Sequence, residues 1–92
     1  MNIKYFKFED IEGNDIKIEI NLDLLRVRVF ATTYNFNNEI ISKNKIVGWY
    51  FAKNKKKFLN ILKNNIGNMS INIRKEYENF IDNNIIKFLR CE

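Results

Sequence analysis

The stretch Ile16-Lys17-Ile18-Glu19-Ile20-Asn21-Leu22, IKIEINL, alternates apolar and polar residues without a break. Successive side chains of a strand point to opposite faces. Ile16, Ile18, Ile20 and Leu22 therefore share one face, and Lys17, Glu19 and Asn21 share the other. This is a half-buried strand, and it sets the fold: a sheet with one covered face and one wet face.

The same reading extends in both directions. Residues 3–8, IKYFKF, are rich in β-formers and predict a strand. EGND at 12–15 supplies turn residues between the two. After a short turn at Asp23, residues 24–34, LLRVRVFATTY, place Leu25, Val27, Val29 and Ala31 on one face. Arg26, Arg28, Phe30, Thr32 and Tyr34 occupy the opposite face. NFNN at 35–38 is a turn, and residues 39–51, EIISKNKIVGWYF, form a further strand with a possible break at Lys43–Lys45. Alternation makes one of Trp49 and Tyr50 a core residue and turns the other outward.

Beyond Phe51 the period changes from two to 3.6. Phe58, Ile61, Leu62 and Ile66 share a helical face, with Gly67 placed as a C′ residue. Ser70 or Asn72 caps a second helix, whose stripe is Ile73, Tyr77, Ile81, Ile85 and Phe88, flanked by Phe80 and Leu89. In a regular helix Asn84 falls inside that stripe and Ile86 points about 140° away from its centre. An exposed Ile86 would permit a homodimer. The expected architecture is α+β: a four-stranded, or with the break five-stranded, antiparallel meander followed by two C-terminal helices packed on one face. One compact domain spanning residues 1–92 is expected.

Composition narrows the chemistry. The chain has no His and one Cys, at position 91. That removes an imidazole base, a Ser-His-Asp triad and His- or Cys-rich zinc sites. Gly13, Gly48 and Gly67 form no phosphate-binding loop. Of the neighbouring carboxylates, Glu76/Glu78 and Glu9/Asp10 cannot share a face in their elements, and Asp10/Glu12 fall in a turn. The expectation is a protein with no enzymatic activity, cofactor or metal. The enzyme class that survives is a small His-free ribonuclease using Lys, Arg and Tyr. Bacterial messenger-RNA interferases of the RelE type have this size and charge, but in them the helices precede the sheet. No apolar run approaches the roughly 20 residues that span a bilayer, and the N-terminus lacks the apolar core of a signal peptide. A single penultimate Cys cannot form an internal disulfide, so a cytoplasmic location is expected.

The formal charge of +5 is unevenly spread. Residues 1–39 hold five basic and seven acidic residues, and residues 76–92 hold two and four. Residues 40–75 hold nine basic residues and no acid: Lys43, Lys45, Lys53, Lys55, Lys56, Lys57, Lys63, Arg74 and Lys75. Some of this is genomic, since 15 Ile, 16 Asn and 12 Lys point to an AT-rich source. The four lysines in YFAKNKKKF (50–58) nevertheless crowd a helix start. There they oppose the macrodipole by roughly 0.3–1 kcal/mol each. Either the helix begins later and they form a solvated turn, or they face something negative.

These residues define the candidate binding surface: Lys43, Lys45, Lys53, Lys55, Lys56, Lys57 and Lys63, supported by Arg26, Arg28, Phe30 and Tyr34. Arginine interleaved with aromatics on an open sheet face is one way to hold a single strand. The expected function is binding. A small inhibitor or regulator of the kind carried by phages and mobile elements, anti-CRISPR-like or otherwise anti-defence, would dock this surface on an acidic protein or a nucleic-acid-handling effector. Direct nucleic-acid binding is the alternative. No membrane partner is expected.

Overall fold

The computed structural model describes residues 2–64, 66 and 68–90, with Arg90 described in its backbone only. Gly67 and Cys91 lie outside the described residues. Four strands, β1 (Ile3–Glu9), β2 (Asp15–Asn21), β3 (Arg26–Tyr34) and β4 (Ile40–Phe51), form one sheet in the order β1-β2-β3-β4. Every neighbouring pair is antiparallel. Helix α1 (Lys55–Asn64) and helix α2 (Ile71–Ile81) follow. α2 continues through a π-helical turn (Asp82–Ile86) into α3 (Lys87–Arg90). The fold is α+β, with the helices after the sheet, as the periodicity predicts.

The alternation of β2 is realised directly: Ile16, Ile18, Ile20 and Leu22 are buried. The register sets Ile18 between Phe6 and Val29, and Ile20 opposite Val27, so one apolar face is continuous across the sheet. Phe58 and Leu62 of α1 and Tyr77, Ile81, Ile85 and Leu89 of the second helical unit close over it. Tyr77 is 1% exposed, and its hydroxyl donates to the Leu62 carbonyl at 2.6 Å, tying the two helices together.

Tyr50 is the inward member of the Trp49–Tyr50 pair and packs against the core. Its ring lies over Gly48, where a Cβ would come within 3.1 Å of it. Trp49 faces outward and is 61% exposed.

β4 is one strand, not two. The irregularity expected at Lys43–Lys45 appears as shifts in register with β3. Asn44 there adopts a positive φ of 49°, and its N–H donates to Thr32 Oγ1 at 3.1 Å. Bulges insert residues without ending a strand, so the sheet has four strands.

The second helix departs from its expected stripe. The buried positions are Tyr77, Ile81, Ile85 and Leu89, while Phe88 is 38% exposed. A spacing of four advances about 40° per step in a regular α-helix, so Tyr77 and Leu89 would sit about 120° apart. The π turn is wider by one residue and absorbs that drift. Ile86 is thereby rotated onto the core, where it is partly buried. The expected exposed Ile86 is corrected: it packs against the core. Asn84 is half-buried and donates from Nδ2 to the Phe80 carbonyl at 3.0 Å, inside the turn.

β3 and β4 outrun their neighbours. β2 begins at Asp15, opposite Thr32, so beyond that point β3 and β4 have only each other as strand partners. This hairpin projects from the body and contributes to the long dimension of 49 × 24 × 20 Å.

Candidate functional site

With both helical units on one face, the other face of the sheet is open. The register lays its side chains out in rows. Ile3, Asn21, Arg26 and Phe51 form one; Tyr5, Glu19, Arg28 and Trp49 the next; Lys7, Lys17, Phe30 and Ile46 the third.

Glu19 anchors this face. Arg28 Nε donates to Glu19 Oε1 at 2.7 Å, and an Arg28 terminal nitrogen lies 2.6 Å from the same oxygen. Arg26 approaches from the other side at 3.6 Å. Glu19 is only 6% exposed, because the two guanidinium groups cover it. Arg26 is the poorer fit, since its Nε is buried with no acceptor among the described residues. Both expected binding arginines are thus partly committed to holding an internal carboxylate. The cluster keeps a net charge of +1, and Arg28 is the more accessible of the two, its side chain 31% exposed.

Around this clamp the aromatic rings stand in two groups, Tyr5 with Phe30 and Trp49 with Phe51. Lys17 Nζ lies 4.9 Å from the Phe30 ring centre and 5.8 Å from that of Tyr5. The Arg28 guanidinium lies 5.4 Å from Phe30. Trp49 and Phe51 touch at 5.2 Å between centroids, and both are about 60% exposed. Phe30 thus stands between two cations, Lys17 and Arg28. Tyr5, Lys17, Trp49 and Phe51 complete this surface but are absent from the set expected from sequence. The i, i+2 spacing of Trp49 and Phe51 was the available signal; which strands lie beside them was not.

The basic residues of the 40–75 window do not form one patch. Lys55, Lys56 and Lys57 are the first three residues of α1, so the solvated-turn reading fails. Asn54 caps that helix, accepting the Lys57 N–H at 2.9 Å through Oδ1. The first turn itself contains no acidic residue. Lys53 lies between Phe51 and this turn, at the Arg26 end of the sheet. Lys43 and Lys45 stand on the hairpin side of β4; Lys45 is six strand positions from Phe51, about 20 Å away. Lys63 is at the end of α1, where its carbonyl accepts from Arg74, which also pairs with Glu78 at 3.4 Å. Tyr34 donates its hydroxyl to Asp15, which raises the phenol above its ordinary pKa.

The hairpin tip is a second distinctive surface. Asn35 Oδ1 accepts from the Asn37 and Glu39 N–H groups at 2.9 and 3.0 Å. Asn35 and Glu39 also pair through their backbones at 3.0 Å. Asn38 takes the left-handed conformation that Asn tolerates. This ordered loop displays Phe36 in full solvent exposure, with Ile40 and Ile41 exposed just behind it at 54% and 66%.

Among the described residues no group of His, Cys, Asp or Glu could hold a metal ion, and no helix is long and apolar enough to cross a membrane. Asp10 serves its own turn, accepting from the Glu12 and Asn14 N–H groups at 2.9 Å. Comparison with protein-family models, with curated proteins and with solved structures finds no significant match.

Proposed function

We propose that this chain is a non-enzymatic binding protein that engages a protein target through the projecting β3–β4 hairpin. The observation that carries the reading is Phe36, fully exposed at the tip of a loop held by five hydrogen bonds of Asn35 within the turn. A large ring in water on a pre-ordered loop needs little further ordering to enter a pocket. Aromatic anchors seated in pockets dominate most protein interfaces. Ile40 and Ile41 widen the apolar contact, and Lys43 and Lys45 add positive charge beside it.

The matching partner has an apolar pocket with an acidic rim. Within this reading the chain acts as an inhibitor, filling a groove that its target needs. Its small size and basic surface support a nucleic-acid-handling host protein as that target, in the manner of an anti-defence factor.

The test is capture from nuclease-treated host lysate on immobilised protein, with Phe36→Ala/Ile41→Ala in parallel. Wild type is expected to retain a defined protein that the double variant loses. Retention by both, or loss of the captured protein on nuclease treatment alone, rejects the hairpin as the docking element.

A further inference from the structure

We infer that the open sheet face is a stacking platform for single-stranded nucleic acid, a binding site separate from the hairpin tip. The platform is Tyr5, Lys17, Arg28, Phe30, Trp49 and Phe51. Three features of the geometry point to this ligand.

The rings are displayed on a face that no helix among the described residues covers. Both helical units pack on the other side of the sheet, and Tyr5, Trp49 and Phe51 are 48%, 61% and 60% exposed. They span all four strands, from β1 to β4. Adjacent strands are about 4.8 Å apart, so the outer rings lie about 14 Å from one another. That width suits two or three bases, the number that four-stranded sheets with surface aromatics stack.

The rings are interleaved with cations. Lys17 sits between Tyr5 and Phe30, and Arg28 beside Phe30. Base faces meet aromatic rings while the sugar-phosphate chain passes over the positive groups. An apolar protein surface laid on this face would have to desolvate those cations.

The rows that carry the rings are predominantly basic, and the exposed carboxylates of this face, Glu9 and Asp15, stand in the next row toward the hairpin. The three rows carrying the rings hold Lys7, Lys17, Arg26 and Arg28 against a single carboxylate. That carboxylate, Glu19, is 6% exposed beneath the arginines, so what these three rows turn outward is positive. Glu19 also fixes Arg28 in place before any ligand arrives.

The experiment uses Trp49, the chain's one tryptophan, as reporter. Twelve-residue oligo-dT and oligo-rU are titrated into the full chain and quenching of Trp49 emission is followed. Saturable quenching is expected at about 50 mM salt. With Lys7, Lys17 and Arg28 as phosphate contacts, affinity should fall about 20-fold at about 200 mM salt. Phe51→Ala should weaken binding about 5- to 150-fold, the range for losing one stacked base. Lys17→Glu should weaken it as well, and Lys75→Glu, on the opposite layer, should not. Phe51 is exposed, and the far-UV circular dichroism of each free variant verifies its fold.

Absence of quenching by both oligonucleotides at 50 mM salt overturns the inference. So does equal loss in Lys75→Glu and Lys17→Glu, which would indicate diffuse charge alone, or equal affinity for duplex DNA, whose base faces are not free. If a captured protein shifts Trp49 emission while the oligonucleotides do not, the face belongs to a protein and the inference fails. Phe36→Ala/Ile41→Ala separates the two sites: it should lose protein capture and keep the quenching.

Discussion

Glu19 shows how one residue on the wet side of a sheet becomes internal. Its neighbours in register are Arg28 and, one row away, Arg26, and together they remove it from water. Glu19→Ala would leave two guanidinium groups without their shared acceptor. A destabilisation of about 1.5–3 kcal/mol is expected, the range for a hydrogen bond to a charged group, measured by urea denaturation. Asp23 works at a different point, where Oδ2 accepts the Asn2 N–H at 3.0 Å and Oδ1 the Asn2 amide at 3.2 Å. The Asn2 backbone bond, the largest influence, draws its carboxyl below the ordinary 3.8. A lowered folded-state pKa contributes stability that is present above about 3.8 and lost as pH falls through the folded value. Asp23→Asn should therefore be less stable than wild type at pH 6, with the gap closing below pH 4 in thermal melts.

At the scale of elements, α1 starts against its own dipole. Lys56 and Lys57 are exposed in a first turn that contains no acid. Lys56→Glu/Lys57→Glu should stabilise the protein by about 0.3–1 kcal/mol per site at low salt, with the gain shrinking as salt rises. A helix that would gain stability from losing its lysines keeps them for some reason other than its own stability. The π turn in the second helical unit allows a sharper prediction. Asn83 is exposed within that turn. Deleting it would move Ile85 and Leu89 one position back. In a regular α-helix they would then stand three and seven residues after Ile81, on the same face. The deletion variant should fold with unchanged cooperativity and a midpoint close to wild type in urea. Loss of the cooperative transition would mean the π turn is needed for more than carrying an extra residue.

At the scale of the molecule, β4 is an edge strand of 12 residues exposing Ile40, Ile41, Ile46, Val47, Trp49 and Phe51. Such an edge invites pairing with another chain unless something opposes it. Here the opposing features are the register shifts along β4 and the charges of Lys43 and Lys45. Lys43→Thr/Lys45→Thr should raise self-association in light scattering at low salt, and wild type should approach the same behaviour at high salt. Unchanged scattering would assign the protection to the bulged geometry alone.

The alternation at 16–22 and the change of period after Phe51 determined the strands, the helices, their order and the inner core face, because each depends on residues close in sequence. Register is a relation between distant residues. Only the tertiary structure decided that Glu19 lies between two arginines, that Lys17 meets Phe30 and Tyr5, and that Trp49 rather than Tyr50 faces outward. The π turn escaped the periodicity for the same reason: packing against the sheet, not local spacing, decides which of Phe88 and Leu89 is buried. Charge counting found the acid-free window, yet a window in sequence is a line through space. Along β4, Lys45 stands about 20 Å from Phe51, the residue at which the chain leaves the sheet toward the lysines that open α1. The composition determined which side chains the surface has, and the pairing of the strands decided which of them stand together, because neighbours across a sheet are distant in sequence.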